Sequence, residues 1–402
     1  MRALAFAAVL LSGCSLIVAP SIDAGATGGG GGSGGGSVGG GGGTGGGSAG
    51  GGGGATFTNC DGGARIGLDC KVVPLATTAT PSGLRLAVND QGFIALANEA
   101  ATQKLAVFRI DFDGGSTTVD EFSAGGSPTT TALGAAGNHY VVAWTIESSS
   151  VASSFSCRLD QGSVTPVDVP AHFDPHGPSI SVAVDSSGQV VAATTGNAPG
   201  QNTEPSIALN GGGCPSTLAE QSVSPFIALG VTALQSPVGA LVAATGQGLS
   251  NEGYLWLDRP NNGTVQFSPQ FSAPASSSHS AISGSWLLTA FTSGSNDVQL
   301  GWILADASAN WNAPADWLHG VAQWSVGGAS NGRFALGYTA GQRLTVQMVN
   351  VSAGQASPGG SYDLSCAVDS QVVDTAANAG MLAVASLSNG TANVYLCPVP
   401  AN

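Results

Sequence analysis

Charge is what this 402-residue chain has least of: only 8% of its residues are Asp, Glu, Lys or Arg. Cations are scarcest, 10 Lys and Arg against 24 Asp and Glu, for a net charge of −14. That balance excludes the basic footprint of a nucleic-acid binder and the polybasic patch that holds a protein to anionic lipid. The acidity itself reads as a solubility feature. No run of 18 apolar residues occurs, so no segment is expected to span a bilayer as a helix. The seven cysteines contain no CxxC pair, which argues against a zinc site or a redox motif. A 3.6-residue apolar period is missing as well, and Gly, Ser, Thr, Ala and Val fill its place.

The N-terminus is organised. Met1-Arg2 supplies a short positive region, and Ala3 to Leu11 an apolar region too short for a transmembrane helix. Leu11-Ser12-Gly13-Cys14 follows and resembles a bacterial lipobox, in which a small residue precedes a cysteine that is lipidated and becomes the mature N-terminus. The resemblance implies a lipoprotein signal peptide at 1–13 and lipidation at Cys14. Ser15 stands where an Asp would imply inner-membrane retention, so the implied address is the outer membrane, periplasmic or surface-exposed. Several acyl chains on one cysteine would make a stable anchor, which a single chain does not.

Residues 14–55 form the next unit. Gly28 to Gly54 holds 21 glycines among Ser, Val, Thr and Ala, a composition with nothing to bury. It is expected to act as a flexible tether with a root-mean-square span of roughly 30 Å. The glycine-fingerprint and GxSxG matches inside it follow from composition alone, with no strand before them and no helix after.

From residue 56 to 402 the chain repeats. Short apolar segments begin at Phe93, Tyr140, Val190, Leu241, Trp286, Phe334 and Met381, with steps of 47, 50, 51, 45, 48 and 47 residues. A period near 48 with strand-like content predicts an all-β protein: a single β-propeller of seven four-stranded blades. The first blade reads Leu84–Val88, Phe93–Ala97, Leu105–Ile110 and Thr117–Phe122, with turns at Asn89 to Gly92 and Asp113 to Gly115. Each repeating segment is the second strand of its blade. It is apolar on both faces, as a strand between two neighbouring sheets must be, whereas a half-buried sandwich strand would alternate. Its small side chains are expected to let the blades converge on the axis. Blade seven lacks a fourth strand, and Lys71-Val-Val-Pro-Leu75 lacks a blade. Pairing the two would close the ring, with Pro74 on the outer edge.

At Ile180-Ser-Val-Ala-Val-Asp-Ser-Ser-Gly-Gln-Val-Val-Ala-Ala-Thr the sequence resembles a propeller repeat of the bacterial SBBP or NHL-like kind, and Asn89-Asp-Gln-Gly-Phe-Ile-Ala-Leu-Ala is similar. The resemblance implies fold alone, since those families share no single activity.

After Cys14, six cysteines remain: Cys60, Cys70, Cys157, Cys214, Cys366 and Cys397. An even count in an exported chain reads as disulfides. Ring closure would bring Cys60 or Cys70 to Cys397, and Cys157 and Cys214 sit at equivalent places in adjacent blades.

Candidate chemistry is thin. His172, Asp174 and His176 are the one crowd of metal-ligand types, though no fourth ligand is near, and a plain loop is the first reading. No cofactor is expected. Asp111 to Gly115 reads as a hairpin turn rather than a calcium loop. Of the tryptophans, Trp302 reads as core, while Trp311 and Trp317, flanking Ala-Pro-Ala-Asp, are the candidates for ligand contact. Asn202 and Asn251 join them, from loops that follow second strands and would ring one mouth of the channel. No nucleophile–base pattern is visible. The leading function is therefore a non-catalytic binding or scaffold module for an envelope protein or glycan. A propeller hydrolase or lyase acting on polysaccharide is the alternative, and a purely structural envelope protein the third reading.

Overall fold

The computed structural model describes residues 70–400, apart from 80–82, 100–101, 147–153, 170–178, 196–204, 221–226, 248–251, 261–263, 269–274, 294–296, 309, 313, 322, 341–342, 366–370 and 389. Among these residues every regular element is a strand, and the strands form seven four-stranded antiparallel sheets. The sheets are the blades of a seven-bladed propeller. All seven repeating segments fall on second strands: Gly92–Glu99, His139–Ile146, Val190–Thr195, Gly239–Gln247, Trp286–Ser293, Arg333–Ala340 and Met381–Ser388.

The core explains their composition. It is divided into seven clusters, and each fills the seam between two neighbouring blades. Along the second strand of blade one, Phe93, Ala95 and Ala97 enter the seam with blade seven, while Ile94 and Leu96 enter the seam with blade two. Successive side chains of a strand point to opposite faces, so a strand with a blade on either side must be apolar at every position. Complete burial of each such Leu, Ile or Phe contributes about 1.5–3 kcal/mol.

The ring closes as the strand count requires. Lys71–Thr78 pairs antiparallel with Thr391–Pro398, and the last sheet runs in the order closing strand, third, second, first. Pro74 lies on this outermost strand opposite Asn393, where its missing N–H removes no ladder bond from a central strand. The Cys70–Cys397 disulfide fastens the same pair, joining residues 327 apart in sequence, and Cys157–Cys214 fastens blade two to blade three. Cys14, Cys60 and Cys366 lie outside the described residues.

One expectation is corrected. The axis is lined by the first strand of each blade, not the second: Arg85–Asn89, Pro128–Ala136, Ile180–Val184, Ile227–Ser236, Ala275–Ser283, Gln323–Gly328 and Gln371–Ala377. The close approach falls there too. A methyl on Gly134 would stand 2.8 Å from Ala183 Cα, and one on Gly328 would stand 1.7 Å from the Ile282 carbonyl oxygen. Wedge geometry requires this, because blades are nearest at their innermost strands.

Candidate functional site

The seven inner strands enclose a cavity of about 620 Å³. They run in the same direction, since the turns that follow them lie side by side. A methyl on Gly137 would touch Ser186 Cα at 3.1 Å, and one on Gly284 would lie 3.5 Å from the Asn331 nitrogen. The channel therefore has two different ends. Where the inner strands begin, it is lined by Arg85, Thr130, Ser179, Ser278, His279 and Asp374. Where they finish, Val88, Ala136, Val184, Ile282 and Ala377 line it, with Gln235 as the exception. The Gln235 amide is turned to the Gln189 carbonyl at 3.3 Å.

At the polar end the charges are tied to the blade seams. Asp374, from blade seven, accepts the Leu86 N–H of blade one on Oδ2 at 2.9 Å and its neighbour Thr375 N–H on Oδ1 at 2.8 Å. Burial raises its pKa, and the Arg85 guanidinium only partly opposes that. Arg85, from blade one, donates through Nε to the Thr131 carbonyl of blade two at 2.9 Å and through Nη1 to its neighbour Leu84 at 2.7 Å. Neutral groups serve the seams between blades three and four and between blades six and seven. Ser179 Oγ accepts Val231 N–H at 3.2 Å, Ser181 Oγ accepts Ala233 N–H at 2.9 Å, and Ser325 meets Thr375 hydroxyl to hydroxyl at 2.5 Å. Each is a side chain of one inner strand satisfying a group on the next, whose channel-side edge has no further strand to pair with.

His279 is different. Its ring packs edge-on against Trp324, with centroids 5.2 Å apart. Burial first, and the Arg85 charge second, push its pKa down to about 4. At neutral pH it is an uncharged imidazole, one nitrogen a donor and the other an acceptor.

A second polar network lies away from the channel, in blades one and two. Asp120 pairs with Arg158 Nη2 at 3.2 Å and accepts the Tyr140 hydroxyl at 3.2 Å, while the Arg158 guanidinium sits 4.3 Å above the Phe122 ring. Burial, then Asp120, drives the Tyr140 pKa well above the ordinary tyrosine value. Beside it, Asp160 bridges His139 Nδ1 at 2.7 Å and the Tyr140 N–H at 2.9 Å. Through Asp120 these contacts join blade one to blade two.

The sites expected from sequence are placed unevenly. His172, Asp174, His176, Asn202 and Asn251 lie outside the described residues. Among the described residues no group of three metal-ligating side chains occurs. Trp311 is corrected from a ligand-contact candidate to core: it is 4% exposed and packs with Leu241, Leu287 and Ile303 in the seam between blades four and five. Trp317 is half-buried, and its Nε1–H is given to Gln347 Oε1 at 3.0 Å. Asp111 to Gly115 is the expected hairpin turn, with Gly114 N–H donating to Asp111 O at 2.9 Å. The sequence reading missed Arg85, His279 and Asp374. The signal available was a charge inside an apolar first strand, in Leu84-Arg-Leu-Ala-Val and Val372-Val-Asp-Thr-Ala.

No family model matches the chain, and no curated protein does. Solved structures do. The chain is similar to virginiamycin B lyase from Staphylococcus aureus, with 10% identity, a TM-score of 0.48, and coverage of 82% of this chain and 100% of that one. A chain of the mitotic checkpoint complex is similar at 12% identity and a TM-score of 0.48, covering 86% of this chain and 99% of that one. A subtype N10 neuraminidase-like protein of A/little yellow-shouldered bat/Guatemala/060/2010 follows at 9% identity and 0.43, covering 67% and 94%. At such identities and scores the likenesses carry no functional argument. The seven-bladed architecture rests on the chain's own sheets, and the chain belongs with the propellers in fold alone.

Proposed function

We propose that this chain is an exported, lipid-anchored propeller that works at the cell envelope as a non-catalytic binding module for a protein or glycan. The engagement of Asp374 carries the choice of binding over catalysis. It is the one carboxylate lining the channel among the described residues, and both its oxygens already accept backbone N–H groups. A general acid or base must reach the substrate proton and titrate near the working pH. Asp374, with both oxygens engaged, fails the first demand, and His279, with a pKa of about 4, is a weak base at neutral pH.

The anchored reading is supported by Leu11-Ser12-Gly13-Cys14 after a short apolar segment, and by the glycine-rich stretch that follows it.

The test is metabolic labelling of full-length protein with a tagged fatty acid, followed by cross-linking in intact envelopes. Label on wild type but not on Cys14→Ser, with a reproducible cross-linked partner or glycan, is the expected result. Label on both proteins would overturn the anchor. Turnover of an envelope polysaccharide by purified protein would overturn the binding reading in favour of a hydrolase or lyase. An anchored protein with neither partner nor turnover would leave the structural reading standing in its place.

A further inference from the structure

We propose that the polar end of the channel binds an uncharged, hydroxyl-rich small molecule of the mono- or disaccharide class. The inference rests on the binding-module reading and names its ligand.

Four lining side chains from three blades carry it: Thr130 of blade two, Thr232 of blade four, and Ser278 and His279 of blade five. None has a hydrogen-bond partner among the described residues, and all are half-buried. Half-buried hydroxyls and imidazoles are ordinarily satisfied by protein, by ordered water or by a ligand. Their neighbours Ser179, Ser181 and Ser325 are satisfied by protein, so this group is set apart on the same inner strands.

Chemistry then narrows the ligand. Each of the four groups both donates and accepts, and a hydroxyl is the complement that also does both. Charge is balanced on the described wall, with one guanidinium, one carboxylate and a neutral imidazole. An anion would meet Asp374 and a cation would meet Arg85, each partly buried, where like charges repel strongly. The cavity of about 620 Å³ lies within the range of small-ligand sites, about 300–1,000 Å³.

The experiment uses full-length protein with ¹⁵N-labelled histidine and follows the His279 imidazole by NMR. The probes are glucose, N-acetylglucosamine and maltose, with glucuronate and inorganic phosphate as charged comparators. The expected result is a saturable shift of the His279 signal with a neutral sugar and little with either anion. His279→Phe and Thr232→Ala should each weaken sugar binding about tenfold by calorimetry. Thr232→Ala serves where His279→Phe fails to fold. A shift with glucuronate or phosphate alone, or with no probe, would overturn the proposal. Envelope cross-linking retained by His279→Phe would show that the module binds its partner elsewhere, which separates failure of this site from failure of the binding reading.

Discussion

Asp374 and Leu86 are 288 residues apart in sequence, yet the Asp374 carboxylate accepts the Leu86 N–H at 2.9 Å. The bond joins the last blade to the first. Arg85, beside Leu86, then bonds across the next seam to Thr131. The two ionic groups of the channel thus sit at and next to the one junction that the continuous chain cannot make by itself.

Asp374→Ala removes the acceptor of the Leu86 N–H and the buried carboxylate that favours the Arg85 charge. It is expected to cost about 3–5 kcal/mol in urea unfolding. Asp374→Asn keeps one acceptor oxygen and should cost about 1–3 kcal/mol. Equal costs for the two would show that the charge is immaterial to closure.

The Cys70–Cys397 bond ties a loop of 327 residues, and cross-links over long loops restrict the unfolded chain most. Replacing both cysteines by Ser should lower stability by about 2–5 kcal/mol. The Cys157–Cys214 pair spans 57 residues and should matter less. Denaturant titration of both double variants checks the order, and the reverse ranking would show that native packing at blade two outweighs closure.

His279 titrates near 4 when folded and near 6.5 when free, so the unfolded chain binds the proton first as pH falls. Its contribution is present above about pH 6.5 and is lost as pH drops toward 4. The raised pKa values of Asp374 and Asp258 act oppositely, stabilising the fold as pH falls through them. The histidine part is isolated by comparing wild type with His279→Gln. The stability difference should move against wild type by on the order of 1–3 kcal/mol between pH 7 and pH 4. No change in that difference would mean that His279 is not held neutral.

Gly328 has no room for a methyl, with the Ile282 carbonyl oxygen 1.7 Å from where one would stand, and Gly211 has nothing within 4 Å. Gly328→Ala should cost about 3 kcal/mol or more by overpacking the inner seam. Gly211→Ala should fall within about 0.5 kcal/mol of wild type. Thermal unfolding of the two variants is the check. Similar behaviour would mean that the blades part easily at the axis.

Architecture was legible because burial on both faces leaves a local mark. From Phe93 to Met381 the second strands announce themselves by apolar runs at a fixed period, and the unpaired Lys71–Leu75 segment announces the closure. Trp311 was misjudged for a related reason. Pro314 and Asp316 near it suggest a surface, but the ring turns back into the seam beside Leu255 and Ile303. Local composition records what the backbone does and not where a long side chain reaches.

By itself, then, the sequence determined the blade count, the strand that closes the ring, Cys70 or Cys60 as partner for Cys397, and the sparse charge that bounds the ligands. Each is written in short stretches or in a repeat. Only the tertiary structure decided the channel. Arg85, His279 and Asp374 come from blades one, five and seven, and no spacing links them. Curling seven sheets into a ring sets their first strands around one axis. The same curvature divides the inner polar side chains into those that bond across a seam and those left facing the cavity.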